Sequence, residues 1–230
     1  MRFVIIRHGQ SGNNLLWSQG ADMAERDPDP VLTGLGHDQA AAMAAYVAGD
    51  DFPWKVTDVH CSLMMRAVET AAPLADALDQ PLLGNADIFE LGGPFSHDPA
   101  TDVRTATPGA GADRLRGTSA RLRLPEASGP DGWWPGPTEV EPAWHERAGR
   151  AIAALRAQHG DDAVVALVSH AAFINVLLRT VLGIADTIGW FVIHNTAITL
   201  LEDRVWEERP AVLVHQLNWT PHLTPGQVSQ

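Results

Sequence analysis

The sequence predicts an α/β fold: a three-layer α/β/α sandwich on a mostly parallel central sheet, with an inserted cap segment. Two observations predict it. Short apolar, β-branched runs alternate with alanine-rich stretches of helical period, as in strands joined by crossover helices. The apolar runs also stop abruptly at polar residues, as buried parallel strands do where they feed loops.

The elements follow in order. Residues 3–6 read as a buried strand. Residues 18–33 carry acids and the prolines Pro28 and Pro30, and read as loop. Thr33 stands where an N-cap belongs, and 34–48 reads as helix. Residues 56–61 are a second strand and 63–78 a second helix, in which Pro73 marks a kink or a new start. From 91 to 137 glycine and proline are dense and periodicity is weak, so this segment reads as an insertion, the cap. Helical pattern resumes at 138 and runs to about 159. Residues 163–168 are a strand and 171–182 an apolar helix. Residues 190–193, 197–202 and 212–217 read as later strands. The whole reads as one domain over 1–220, with the polar tail 221–230 expected to fray.

Composition excludes several classes. The formal net charge is −12, which disfavours a protein that coats nucleic acid but not a local arginine pocket for a small anion. Cys61 is the only cysteine, so no intrachain disulfide and no cysteine cage for a metal can form. The histidines show no zinc spacing, and no metal or other cofactor is expected. The apolar run at the N-terminus is four residues long, short of the ~7–15 of a secretory signal or the ~20 of a membrane span. The expectation is a cytoplasmic protein with no membrane or nucleic-acid partner. The sequence leaves its oligomeric state open.

In open α/β sheets, ligands bind beyond the carboxyl ends of the strands. There the chain places Arg7-His8-Gly9-Gln10-Ser11 with Asn14, then Ser62 with Arg66, then Ser169-His170. Arginine grips phosphate bidentately and stays charged. A helix opening after His170 offers backbone N–H groups to an anion. A neutral imidazole is a nucleophile toward phosphorus, and a second histidine can stabilise the transferring oxygens. Any one of these residues alone would read as packing or solvated surface. Four of them at three strand ends point to phosphoryl chemistry.

These blocks resemble the histidine phosphatase superfamily, which includes cofactor-dependent phosphoglycerate mutase. The likeness continues through Leu32-Thr33-Gly34-Leu35-Gly36 with Gln39-Ala40, Cys61-Ser62-Leu63-Met64-Met65-Arg66-Ala67-Val68-Glu69-Thr70-Ala71, Val168-Ser169-His170 and Asn195-Thr196-Ala197-Ile198-Thr199. The resemblance implies a phosphoglycerate mutase-like fold. It implies His8 as the phosphorylated nucleophile, with Arg7, Arg66 and His170 around the phosphoryl group and Asn14 adding a hydrogen bond. Glu90 matches the family's general acid. Two departures stand out. Ala171 follows the second histidine where the family usually has glycine, and would bind substrate through its backbone N–H. The segment after Glu90 lacks the arginine and tyrosine pattern associated with true mutases.

The expected function is therefore a metal-independent phosphoric monoester hydrolase acting on a small phosphorylated substrate through a phosphohistidine. The alternatives are a cofactor-dependent phosphoglycerate mutase and, from another class, an idle phosphate- or phosphoprotein-binding module. A zinc-dependent hydrolase is a third. In the insertion, Arg104, Arg114, Arg116, Arg121 and Arg123 either recognise a second anionic group on the substrate or form a solvated basic face. Trp133 and Trp134 either wall the pocket or, as favoured, anchor the insertion to the core.

Overall fold

A computed structural model describes residues 1–21, 26–184 and 189–230. Strand β1 (Arg2–Arg7) leads to helix α1 (Gly12–Ser18) and helix α2 (Gly34–Ala48). Strand β2 (Asp58–Ser62), helix α3 (Met65–Ala77) and strand β3 (Leu82–Asn85) follow. The segment after Glu90 folds as a hairpin of β4 (Phe95–Asp98) and β5 (Val103–Ala106), then helix α4 (Ala112–Thr118) and the two-residue strand β6 (Leu122–Arg123). Helix α5 (Ala143–Gln158), strand β7 (Val164–Ser169), helix α6 (Ala171–Leu182) and the hairpin β8 (Ile198–Trp206) with β9 (Arg209–Trp219) complete the chain.

Seven strands form the main sheet in the order β6-β3-β2-β7-β1-β8-β9. The contacts from β6 through β1 are parallel, and β8 and β9 are antiparallel. Side chains alternate across a strand, and β1 shows what this builds. Val4 and Ile6 join the core under α2 and α3, with Met43, Val68 and Leu74. Phe3 and Ile5 join the opposite core under α5 and α6, with Ile152, Phe173 and Leu177. Strand β7 divides in the same way, with Val164, Ala166 and Val168 on one side and Val165 and Leu167 on the other. Two apolar faces on each central strand require two helical layers, and the sandwich follows.

Thr33 caps α2 through its side chain, which accepts from Gly36 N–H. Helix α3 runs through Pro73 without a break. Four expectations are corrected. Residues 138–142 are not helical: Glu139 is held there by a backbone bond to Gly92 and by Arg147. Residues 190–193 form no strand. Instead Asn175 accepts from Phe191 N–H and donates to its carbonyl, occupying the groups a ladder would use. The insertion is not wholly a cap, because β6 returns to pair with β3 in the main sheet. The tail 221–230 is not frayed. Gln39 Nε2 donates to Gln227 O and Ser229 Oγ, and Asn195 N–H donates to Ser229 O.

Candidate active site

The site lies at the carboxyl edge of β1, β2 and β7. The loop after β1 is fixed by residues from far along the chain. Gly9 N–H donates to Thr70 Oγ1, and Gln10 N–H to the fully buried Gln39 Oε1. The His8 carbonyl accepts from Asn195 Nδ2 at 3.1 Å and from Thr196 N–H at 3.3 Å. Thr196 holds this position at φ 55°, a conformation a β-branched residue adopts only where its surroundings enforce it. Gly9 and Gly36 meet without side chains. A Cβ on Gly36 would stand 2.1 Å from Gln10 O, and one on Gly9 would stand 2.6 Å from Gly36 O. Much of the sequence pattern around 32–40, 66–71 and 195–199 thus positions the loop that carries His8.

His8 is buried, and its Nδ1 lies 2.6 Å from Gly9 O. A carbonyl only accepts, so the proton is on Nδ1 and Nε2 carries the lone pair. Arg66 Nε donates to that Nε2 at 3.2 Å. Burial first, then Arg66 and Arg7, push the His8 pKa well below the usual imidazole value, against the hydrogen bond to Gly9. His8 is therefore a neutral imidazole at neutral pH, with its Nε2 lone pair turned to Arg66. His170 is fully buried with its ring 5.1 Å from that of His8. Its Nε2 lies 2.8 Å from Ser62 Oγ, and its Nδ1 has no partner among the described residues. Its pKa is lowered too, by burial and then by Arg66 and His8.

Arg7 donates to Ile193 O at 2.5 Å, and its buried Nε has no partner among the described residues. Burial above all lowers its pKa to about 10. Asp29 stands behind Arg66 at 4.0 Å and caps α3 by accepting from Met65 N–H. Arg7, His8, Arg66 and Glu90 line one cleft of about 230 Å³. Ser11, Asn13, Asn14, Leu16, Trp17, Arg26 and Pro30 complete its described lining.

The structure gives the other expected residues more exact places. Glu90 does not hang free over the cleft. Its carboxylate accepts from Phe173 N–H (3.0 Å) and Ala172 N–H (3.3 Å) at the start of α6, and from Leu91 N–H (2.9 Å). The helix N-terminus expected to hold phosphate thus has two of its N–H groups on Glu90. Ala171 is the first residue of α6, with helical backbone, so alanine is unstrained there. Asn14 uses its side-chain oxygen in a capping box with Ser11 while lining the cleft.

The insertion's arginines mostly lie elsewhere. Arg121 pairs with Asp76 and Asp79, Arg116 with Asp113, and Arg123 donates to the carbonyls of Ala120 and Leu122. Trp133 and Trp134 pack on Phe89 in the core, so they anchor the insertion. Sequence reading missed Arg26. It lines the cleft, stacks 4.0 Å over the Phe95 ring and donates to Phe95 O. Arg104 lies over the same ring. Burial, then Arg66 and Arg104, lower the Arg26 pKa to about 10. No helix among the described residues is long and apolar enough to cross a membrane.

One neutral imidazole and three guanidiniums line this cleft at the carboxyl edge of a parallel sheet, and a second, fully buried imidazole lies 5.1 Å from the first. That defines a site for a compact anion such as a phosphoryl group. The sequence profile of the histidine phosphatase superfamily, branch 1, matches residues 3–216, and the chain belongs to that superfamily, a family of phosphatase- and mutase-type enzymes. Among solved structures it is similar to phosphoserine phosphatase from Entamoeba histolytica in complex with 3-phosphoglyceric acid: 21% identity, TM-score 0.62, covering 97% of this chain and 99% of that one. It is similar to mycobacterial glucosyl-3-phosphoglycerate phosphatase with inorganic phosphate: 22% identity, TM-score 0.62, covering 97% and 99%. It also resembles the protein histidine phosphatase SixA complexed with tungstate, at 17% identity and TM-score 0.51, covering 93% and 94%. At these identities the likeness is one of fold. Among curated proteins none matches.

Proposed function

We propose that this protein is a cytoplasmic, metal-independent phosphoric monoester hydrolase that works through a phosphohistidine on His8. The observation that carries the reading is the pairing of His8 Nδ1 with the Gly9 carbonyl. It leaves Nε2 unprotonated and directed at the Arg66 guanidinium. In the first step Nε2 attacks phosphorus, the ester P–O bond breaks, and the proton of Glu90 passes to the leaving oxygen. In the second, water attacks phosphorus, its proton goes to the Glu90 carboxylate, and the N–P bond breaks to release phosphate. Arg7, Arg66 and His170 hold the equatorial oxygens through both steps, with Asn14 and the Ala171 N–H as further donors. The relatives whose structures hold 3-phosphoglyceric acid and inorganic phosphate support a small phosphorylated substrate.

Rapid quench with a ³²P-labelled monoester is expected to trap an acid-labile, base-stable adduct on His8. Phosphate should then be released with no bisphosphorylated cofactor present. Transfer of the label to a second sugar acid, with no free phosphate, would assign a mutase instead. Absence of any adduct in a turning-over enzyme would reject the covalent route.

A further inference from the structure

Glu90 is carried by a loop whose backbone is tied down at three consecutive carbonyls. Ser169 Oγ donates to Ile88 O at 2.7 Å. The carbonyls on either side, Asp87 O and Phe89 O, both accept from one atom, Arg147 Nη1, each at 2.9 Å. Arg147 lies in α5 and is only 2% exposed. Its remaining donors form a bidentate pair with Glu139, at 2.9 and 2.7 Å. Its guanidinium stacks 3.6 Å from the Phe89 ring centroid and 4.5 Å from that of Phe173.

These contacts converge on one carboxylate. Phe89 immediately precedes Glu90, and Phe173 supplies an N–H that holds Glu90 Oε1. Arg147 therefore touches both bodies that set the orientation of Glu90: the loop that carries it and the helix that binds it. Glu139 adds a third tie, since its N–H bonds to Gly92 O, two residues beyond Glu90.

We propose that Arg147, anchored by Glu139, is a positioning residue for Glu90: it fixes the loop against α6 so that the carboxyl meets the leaving oxygen. The proposal rests on the assignment of Glu90 as general acid. A planar guanidinium can bond two carbonyls and a carboxylate in fixed directions while lying against aromatic rings; an ammonium cannot. Loss of the clamp leaves Glu90 present but misplaced. A misplacement of about 1 Å can cost about 10²-fold in rate.

The test compares an alkyl phosphate, which needs a proton on its leaving oxygen, with p-nitrophenyl phosphate, which does not. The quantity compared throughout is kcat/KM, which reports the step through departure of the leaving group and not the later water step, where Glu90 serves both esters alike. Arg147→Lys is expected to lower it by about 10- to 100-fold for glycerol phosphate, with the p-nitrophenyl ester changed about twofold or less. In the Glu90→Gln background the same change should lower alkyl-phosphate kcat/KM little further, since the two act as a unit. Parallel losses on both substrates, or additive losses in the double variant, would overturn the proposal and leave Arg147 a residue of general stability. If Glu90→Gln itself depresses both esters equally, the acid assignment fails and takes the proposal with it. Glu139→Gln loosens the clamp from its other side and gives the same readout if Arg147→Lys does not fold.

Discussion

At the residue scale, the site consists of ordinary groups made unusual by their surroundings. Removing the imidazole of His8 deletes the proposed nucleophile and leaves the hydrogen bonds on its backbone intact. His8→Ala is therefore expected to stay folded and to lose several orders of magnitude in kcat, checked by turnover beside denaturant melts. Near-normal turnover would remove His8 from the mechanism. Arg26 is the third arginine lining the cleft, after Arg7 and Arg66, and among the described residues it has no carboxylate ion-pair partner. Arg26→Ala is expected to raise KM about tenfold for a monoester with a second anionic group, such as 3-phosphoglycerate, and to spare p-nitrophenyl phosphate. Neutralising Arg116, which pairs with Asp113, should change neither; a larger effect there would return specificity to the insertion. His8, Arg66 and His170 were legible because each follows an apolar run at a strand end. Arg26 and Arg147 were not. Arg26 sits in an acidic, proline-rich stretch that reads as loop. Arg147 lies on a helix, and only its spacing of four and eight residues from the buried Ala151 and Leu155 hints that it faces inward.

At the scale of elements, the loop after β1 depends on pieces that never touch the substrate. Helix α2 approaches it so closely that no side chain fits at Gly36. Gly36→Ala must push the loop off α2 and is expected to cost about 1–3 kcal/mol, with turnover reduced alongside. A variant of unchanged stability would show that the approach is looser than 2.1 Å implies. Gln39 joins the loop to the C-terminal tail, accepting from Gln10 N–H and donating to Gln227 and Ser229. Gln39→Leu leaves the Gln10 N–H without that partner and is expected to cost about 1–3 kcal/mol, measured by urea melts. Helices 34–48 and 171–182 were legible to the residue, the first from Thr33 at its cap and its alanine-rich run, the second from a continuous apolar stretch. The tail was not, since a polar, proline-bearing segment looks the same in sequence whether solvated or docked. Its bonds go to residues some 35 and 190 positions away.

At the scale of the molecule, buried histidines couple stability to pH. His60 is packed against His159, Nε2 to Nε2 at 3.1 Å, and burial lowers its pKa to about 4. His8 and His170 are lowered in the same direction. Such a group binds its proton more weakly folded than unfolded, so unfolding takes up protons once the pH is below about 6.5. The stability is full above that point and is lost as pH falls from 6.5 toward 4. The slope is expected to reach about 1.4 kcal/mol per pH unit for each such histidine. Urea melts at pH 7.0, 6.0 and 5.0 measure it, and a flat profile would contradict the buried neutral state. The position of β1 has a further consequence, in the time course of folding. This first strand is flanked by β7 and β8, whose pairing residues lie about 160 to 200 positions later. A newly made chain therefore carries four apolar residues and the His8 loop with neither sheet neighbour until residues 164–202 have followed. Contacts of such sequence separation fold slowly and leave unpaired edges open to other chains meanwhile. The proposed nucleophile is thus synthesised long before the strands that fix its place.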